Sequence, residues 1–517
     1  MPKVELISTL GESTSNQFNS KTIENLTQIN TGDNGGKGSY KLKRVSGYEP
    51  FSSFLVGSST SVLEMYTVSP NKYSEKERLF VFVRDEVDEY YLFEIFESAP
   101  PILRGGFTAT TLPLSNEAQM SDNGEVLNVV TGNEESIFFN FNTSSSALIT
   151  DADFPENVID VTFKDTYFVW LDRSTNRFYV SDNNATDPTS CVNALDFGTV
   201  ESNPDNVVAV EAIGNEVAIF GERTIEFYYN SGNVDFPFDR NNGATQEIGT
   251  KSTRSVAKID DKVYFIGSTY DGDASVYFLN GYQYVKVSND AIDNLLKYTD
   301  DQFTLRDISK ARCYGLKEEG DYFYCICFEN DNTPTICYSI NTGLWSLRRD
   351  QASVSQVYCG SIKSYAFGYN IIARSDAYLG SSIVTLYSMK RGANTFLSVD
   401  ESTGAYIEHN IECLLILPHI SAENKNIQIN YFEMDIQKGV GNVDDPDPEI
   451  TLTISRDGGM TYGNPITMKM GTDGSYKQRV RADMLGCSRD TVFKIESDSP
   501  VQQEWFTAYI DYEVMSE

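Results

Sequence analysis

The stretch VEAIGNEVAIFGERTIEFYYNSG, Val210–Gly232, alternates short apolar runs with two-residue turns. Its Gly214-Asn215 pair suits a tight hairpin turn, because both residues tolerate positive φ. The flanking runs are rich in Val, Ile, Phe and Tyr, which favour strands. Two segments align with this stretch without a gap: VTFKDTYFVWLD from Val161 and VAKIDDKVYFIG from Val256. Each is predicted to form a hairpin, with turns at Lys164-Asp165 and Asp260-Asp261, and the three starts lie 49 and 46 residues apart.

Looser copies of this unit precede and follow the aligned trio, from about residue 45 to about residue 395. A period of roughly 40–50 residues with about four strands each is typical of a β-propeller. The sequence therefore predicts an all-β chain: a six- or seven-bladed β-propeller followed by a C-terminal β-sandwich-like domain. An irregular array of β-sandwiches remains the alternative. Helical periodicity is best at Asn289–Phe303, where one short helix is expected.

The repeat ends near residue 400, and the strands that follow lack the hairpin rhythm. We therefore predict three parts: an N-terminal arm and lead-in (1–44), the β-propeller (45–395) and the β-sandwich-like domain (396–517). The acidic segment Gly441–Glu449 is predicted to be an exposed loop of the last domain.

The chain of 517 residues carries a formal net charge of −33. Such a surface repels nucleic acid, and it is typical either of a merely acidic protein or of one that lies near DNA without binding it. No apolar run is long enough to cross a bilayer, and the first residues lack the pattern of a secretory signal. Eight cysteines in a chain of this length are expected to be free thiols, as in a reducing cytosol.

Residues suited to catalysis or metal binding are few. The two histidines, His409 and His419, are not accompanied by a nucleophile motif, and we interpret both as structural. Cys325 and Cys327 share one face of a strand, which is compatible with a metal site but is better explained by blade packing. We predict no catalytic residue, no cofactor, no metal ligand and no enzymatic activity.

Two glycine- or aspartate-bearing loops resemble ligand loops but depart from the patterns. The segment TGDNGGKGSY, Thr31–Tyr40, has the wrong spacing for a phosphate-binding loop. The segment from Tyr270 offers Asp271 and Asp273, but Tyr282 stands where a calcium loop requires glutamate. A weak cation site at Asp271 and Asp273 is left open.

One turn, SRDGGMTYG at Ser455–Gly463, fits the Asp-box pattern of sialidases and related propellers. We predict that it is a structural hairpin turn stabilised by local hydrogen bonds. Its pattern residues are Ser455, Asp457, Gly459, Thr461 and Tyr462.

The strand FGERTIEF, Phe220–Phe227, resembles a strand of podovirus tail hub proteins, the packaged-DNA stabilisation family of short-tailed phages. The order of later parts is similar too: the helix segment SNDAIDNLL, the blade ending ICYSINTGLWSLR, and TLTISRDGGMTYGNPITM near the C-terminus. The residues that carry the strand motif are interpreted as structural: Phe220, Gly221, Thr224, Ile225, Glu226 and Phe227.

The resemblance implies a structural virion protein, assembled in the host bacterial cytoplasm as a homo-oligomeric ring, expected to be a hexamer. Such a tail hub lies below the portal and adaptor, continues the DNA channel, helps retain packaged DNA until ejection, and anchors tailspikes, fibres or a needle. Its expected partners are these tail proteins and passing genomic DNA, bound without sequence specificity, with no membrane insertion. The alternative is an Asp-box propeller that binds or hydrolyses carbohydrate, which predicts paired carboxylates or stacked aromatic rings around the propeller axis.

Overall fold

The computed structural model describes residues 3–4, 10, 21–30, 32, 40–56, 60–85, 89–108, 118–132, 135–203, 205–233, 235–268, 274–299, 303–328, 333–350, 362–373, 383–390, 392–399, 405–423 and 425–515. These residues are almost entirely strands and turns. The α-helix Asp290–Lys297 lies within the segment predicted to be helical, and Asn289 caps it by accepting a hydrogen bond from Ile292 N at 3.0 Å. No helix of the described ranges could cross a membrane.

Seven sheets of antiparallel strands succeed one another along the chain and form seven blades, numbered here in chain order. Blade 1 contains Thr60–Val68, Arg78–Asp85, Glu89–Ile95 and Ile102–Thr108. Blade 2 contains Gln119–Asp122, Val126–Val130, Ser136–Asn140 and Ser145–Leu148. Blade 3 contains Val158–Lys164, Tyr167–Asp172, Arg177–Ser181 and Val192–Thr199. Blade 4 contains Val207–Ile213, Glu216–Gly221, Ile225–Asn230 and Phe238–Arg240.

Blades 5 to 7 modify this plan. The innermost strand of blade 5 is split by a 3-10 turn, Thr253–Ser255, so that its strands are Gly249–Thr250, Ala257–Ile259, Lys262–Ser268, Ala274–Asn280 and Gln283–Lys286. Blade 6 contains Ala311–Glu318, Asp321–Phe328, Thr335–Ser339 and Trp345–Arg348, preceded by a 3-10 turn at Ile308–Lys310. Blade 7 contains Ile362–Ala366, Tyr369–Ala373, Ile383–Met389 and, from the N-terminal side of the chain, Tyr48–Leu55. A hairpin, Thr395–Val399 and Tyr406–Asn410, extends blade 7 beyond that strand.

The blades close into a ring. The first strand of blade 7 contacts the first strands of blades 6 and 1, and an apolar core lies between blades 7 and 1 as between every other pair of neighbours. The middle strands of each blade are covered on both faces by the neighbouring blades. Their sequences are therefore continuous apolar runs, such as Phe323–Phe328. Cys325 and Cys327 are fully buried in this packing.

Two further sheets form a sandwich around one apolar core that includes Phe432 and Phe493, whose ring centroids lie 4.9 Å apart. One sheet contains Lys3–Val4, Leu26–Asn30, Tyr40–Arg44, Ile427–Ile436, Val480–Ser488 and Glu504–Val514. The other contains Thr22–Glu24, Cys413–Ile416, Ile420–Ser421, Glu449–Ser455, Ile466–Lys469 and Asp490–Ser497. The predicted fold class, a β-propeller followed by a β-sandwich, is confirmed, with seven blades in the described ranges.

The sandwich and the propeller share one continuous sheet. Thr22–Glu24 pairs in parallel with the last strand of blade 6 and antiparallel with Cys413–Ile416. The described strands within residues 22–44, a segment that the sequence assigned to an arm and lead-in, therefore lie in the two sandwich sheets. The proposed boundaries at residues 44 and 395 stay predictions.

The three aligned segments are hairpins of blades 3, 4 and 5. The turns at Gly214-Asn215 and Asp260-Asp261 lie where they were predicted. The prediction for the first hairpin is wrong by one residue. Lys164 still pairs with Tyr167, and the turn is Asp165-Thr166, whose φ angles are 47° and 78°.

Candidate functional site

The strand motif at Phe220–Phe227 lies in the middle of blade 4, around the short turn between two strands. The carboxylate of Asp205 holds this turn: its Oδ2 accepts hydrogen bonds from Arg223 N at 2.7 Å, Thr224 N at 3.0 Å and Thr224 Oγ1 at 3.2 Å. Burial raises the pKa of Asp205. The threonine of the motif is thus one of the donors that fix the turn.

Gly221 allows close approach at the same turn. A Cβ atom on Gly221 would lie 2.5 Å from Asp205 Oδ2, which is closer than real Cβ contacts. A Cβ on Gly249 of blade 5 would lie 2.3 Å from the main chain of this turn. Phe220 packs against Phe265 of blade 5, with ring centroids 5.3 Å apart. The turn is therefore where blade 4 contacts blade 5.

Glu226 is a fully buried carboxylate that is satisfied within blade 4 and the loop before it. Its Oε1 accepts hydrogen bonds from Ser202 N at 2.7 Å and Glu201 N at 3.2 Å. Its Oε2 accepts from Tyr228 Oη at 2.7 Å and lies 3.1 Å from Arg240 Nε. Ile225 is also fully buried, and Phe227 packs against Tyr282. The motif residues take part in packing and internal hydrogen bonds.

The Asp-box-like turn lies in the sandwich, after Glu449–Ser455. Asp457 Oδ1 accepts hydrogen bonds from Ser455 Oγ at 2.7 Å and Thr461 N at 2.9 Å, and Oδ2 accepts from Thr461 Oγ1 at 2.5 Å. Hydrogen bonds from Thr461 lower the pKa of Asp457 to about 2. Gly459 N donates to Ser455 Oγ at 2.8 Å, and the Lys494 ammonium lies 5.7 Å from the Tyr462 ring centroid. These contacts stabilise the turn.

The histidines lie apart from the strand motif of blade 4 and from one another, but His419 is beside the Asp-box-like turn, since a Cβ atom on Gly458 would lie 3.5 Å from His419 Cε1. His409 Nε2 is 3.1 Å from Ser398 Oγ in the hairpin that extends blade 7. His419 Nδ1 is 2.9 Å from both carboxylate oxygens of Asp490 in the sandwich. Within the described ranges, no three His, Cys, Asp or Glu side chains converge as metal ligands. Asp271 and Asp273 lie outside these ranges.

A group of ionisable side chains that was not predicted from the sequence lies at the propeller axis. Each member sits on or beside the innermost strand of its blade, and several interact directly. We call this group the axial network: Glu64, Tyr66, Asp122, Asp160, Glu211 and Arg254.

Arg254 crosses the axis from blade 5. The 3-10 turn that splits the innermost strand of this blade carries Arg254, whose Nη1 donates to Leu63 O at 2.9 Å and Ala118 O at 3.4 Å. Its Nη2 forms an ion pair with Glu64. Glu64 belongs to blade 1 and Ala118 directly precedes blade 2, and these are the blades opposite blade 5 in a ring of seven. The Arg254 side chain therefore spans the axis of the ring, with its guanidinium against blades 1 and 2.

Two of the remaining axial carboxylates, Asp122 and Asp160, connect neighbouring blades. Tyr66 Oη of blade 1 donates to Asp122 of blade 2 at 2.9 Å. Asp160 of blade 3 accepts from Val161 N at 2.9 Å and from Val210 N of blade 4 at 2.8 Å. Burial raises the pKa of Asp160 well above its usual range, and it raises the pKa of Glu211 to about 7.

Carboxylates thus gather at the axis, as the carbohydrate alternative predicted, and a group such as Glu211 with a pKa near 7 could in principle exchange a proton. However, Asp160 and Asp122 are hydrogen-bonded within the protein, and Arg254 occupies the space between blades. The arrangement ties blades together across the axis. A partial signal existed in the sequence: an acidic residue interrupts the apolar first strand of blades 1, 3 and 4, at Glu64, Asp160 and Glu211.

Comparison with protein families gives two matches in chain order. Residues 107–379 match the family described as "Bacteriophage P22 Gp10, beta-propeller", and residues 412–513 match "Bacteriophage P22 Gp10, beta-sandwich". The first match alone spans more than half of the 517 residues. No curated protein matches the chain in sequence.

Among solved structures, the crystal structure of BamB from Moraxella catarrhalis is similar over 66% of this chain and 98% of the BamB chain. The identity is 9% and the TM-score is 0.38. A similarity at this level says nothing about function.

Proposed function

The chain belongs to the bacteriophage P22 Gp10 family and is a phage structural protein of the tail, and we propose that it is the tail hub. In this proposal, copies of the chain form a ring, expected to be a hexamer, below the portal and adaptor of the virion. The ring continues the DNA channel, helps retain the packaged genome until ejection, and anchors tailspikes, fibres or a needle. Assembly takes place in the host bacterial cytoplasm, and the chain has no catalytic role.

The observation that carries the proposal is the paired family match, with the propeller and the sandwich in the same order along one chain. A structural role also fits the rigidity of the molecule. Seven apolar cores lie between successive blades, and the sandwich shares a sheet with blade 6.

The axial network bears on where DNA would pass. Because Arg254 spans the ring from blade 5 to blades 1 and 2, the axis of a single propeller offers no passage for a DNA duplex. The DNA channel would then lie between copies of the chain. The net charge of −33 favours a wall that repels phosphate instead of binding it.

Electron cryomicroscopy of intact particles, at a resolution that locates this chain, tests the proposal. We expect a ring of copies in the tail, coaxial with the portal, with the channel between copies and a predominantly acidic channel wall. Absence of the chain from mature particles would contradict the hub role. A basic wall, or DNA running through the axis of one propeller, would contradict the proposed path.

A further inference from the structure

A cleft of about 300 Å³ lies between blades 6 and 7 on the side of the sandwich. Its walls come from the two hairpin turns of these blades and from the segment that leads from the sandwich into blade 7. The lining residues that matter here are Lys317, Glu318, Glu319, Tyr365, Tyr369 and Asn370. Sites for small ligands occur preferentially at such domain junctions, and this volume is at the lower end of their range.

Asn370 lacks one of its hydrogen bonds in this cleft. Its side chain is 7% exposed, and Nδ2 donates to Lys317 O at 2.7 Å. Its Oδ1 is buried and has no hydrogen-bond partner among the residues that the structure describes. A buried amide oxygen without a donor is costly, by about 1–3 kcal/mol, so such groups usually receive a donor from water or a ligand.

Tyr365 and Lys317 present complementary groups at the rim. Tyr365 is directly opposite Asn370 in the blade 7 hairpin and is 41% exposed. The ammonium groups of Lys317 and Lys363 lie 5.8 Å and 5.9 Å from the centroid of its ring. Lys363 is engaged by Gly315 O at 2.6 Å, whereas Lys317 is exposed and able to donate hydrogen bonds to a ligand.

The carboxylates of the cleft each have a partner on their other side. Glu318 pairs with Arg348 at 2.9 Å and accepts from Ser46 N at 2.7 Å. Glu319 pairs with Lys43 of the sandwich. The cleft therefore offers a ligand one ammonium donor and two tyrosine rings, with a shielded amide acceptor in its wall and carboxylates nearby that disfavour a polyanion.

We propose that this cleft binds a saccharide unit. A sugar ring brings hydroxyl groups that accept from Lys317 and that donate to Asn370 Oδ1 once this side chain turns its shielded oxygen towards the cleft, and its C–H face packs against an exposed aromatic ring such as Tyr365. It needs no net charge, which suits a site between an ammonium and two carboxylates. A phosphate-rich ligand would be repelled by Glu318 and Glu319, and by the net charge of −33.

This site is separate from the axial network and from the Asp-box-like turn, and it does not depend on the tail hub role. Failure of the saccharide proposal would leave the hub proposal unchanged, because the latter is tested by locating the chain in particles.

Saturation-transfer NMR with the full chain tests the inference. The probes are the methyl glycosides of glucose, galactose, mannose, rhamnose and N-acetylglucosamine at millimolar concentration, with capped tripeptides as the competing ligand class. We expect at least one glycoside to bind. Tyr365→Ala should weaken this binding about tenfold, and Asn370→Ala should weaken it at least as much.

Tyr406→Ala is the matched control, because Tyr406 is a 68% exposed tyrosine on the edge strand of the blade 7 hairpin and is not among the cleft residues. It should leave glycoside binding unchanged. Thermal melting of each variant shows whether it is folded, and Tyr365→Ala keeps the test valid if Asn370→Ala does not fold. Absence of glycoside binding, binding that Tyr365→Ala leaves unaltered, or binding of tripeptides alone would overturn the proposal.

Discussion

Replacing Arg254 with methionine removes the guanidinium that crosses the propeller axis while keeping a long, unbranched side chain. In the native protein this group donates to Leu63 O and Ala118 O and pairs with Glu64. The side chains of Arg254 and Glu64 are only 10% and 15% exposed. The substitution therefore leaves one shielded carboxylate and two carbonyls without their donor.

The ion pair dominates the expected effect. Removing one partner of a buried pair typically costs about 3–5 kcal/mol, because the other charge stays buried and uncompensated. The two carbonyls would add to this figure, and water that enters the polar axis would offset part of it. For a propeller of this size each kcal/mol corresponds to roughly 1–2 °C, so we expect the melting temperature to fall by about 3–10 °C.

Differential scanning calorimetry of Arg254→Met, Glu64→Gln and the double variant measures both the loss and its origin. If the pair is the cause, the effects of the two substitutions will not add, and the coupling should amount to about 1–3 kcal/mol. Arg479→Met is the control, since it removes an exposed ion pair with Glu433 and should leave the melting temperature unaltered. A melting temperature for Arg254→Met that matches the control would refute the view that this residue fastens blade 5 across the axis.

Four further changes test the other parts of the structure. Glu226→Gln should destabilise by about 2–4 kcal/mol, because a buried acceptor becomes a donor beside other donors, while the exposed Glu222→Gln should be neutral in the same urea titration. Gly221→Ala should destabilise the protein by about 1–3 kcal/mol through a clash at a buried turn, seen as a lower melting temperature, whereas a neutral result would disprove the close approach. Glu211→Gln should stabilise the protein at pH 8 but not at pH 5. Because the pKa of Glu211 in the folded protein is raised to about 7, the free energy of unfolding falls as the pH rises from the pKa of this group in the unfolded chain through 7. An equal effect of the substitution at both pH values would contradict this. Carbon-13 NMR of the Asp457 carboxyl group should show a titration midpoint near pH 2. The stabilising contribution of this lowered pKa is present above the pKa of aspartate in the unfolded chain and is lost as the pH falls towards 2. A midpoint near 4 would exclude the observed hydrogen bonds.

The propeller could be predicted from the sequence because each of its hairpins is specified by residues that are close together in the chain. Two-residue turns such as Gly214-Asn215 fix a hairpin regardless of the rest of the chain, and a hairpin repeated at nearly constant spacing defines a blade. The error at Lys164 shows the limit of this reasoning, since Thr166 has a positive φ that a β-branched residue rarely adopts, and the strand register decides between neighbouring turns.

The axial network was not predictable from the same local signals. Whether Asp160 or Thr162 faces the axis depends on the register of the strand and on how the blades pack. The position of Arg254 depends on a break in the innermost strand of blade 5. The residue types of Thr253–Ser255 do not predict that the strand is interrupted there. The pairing of Thr22–Glu24 with Cys413–Ile416 joins residues almost 400 positions apart, and no short-range pattern encodes such a partner.

The contribution of early residues to late sheets has a consequence for biosynthesis. Tyr48–Leu55 pairs with Ile383–Met389, so the ring cannot shut until nearly four hundred residues have left the ribosome. At about 5–20 residues per second, these first strands wait roughly 20–70 s for their partners, with unpaired edges exposed to other nascent chains. Translation speed and chaperone supply should therefore govern how much of this polypeptide reaches the native state in an infected cell.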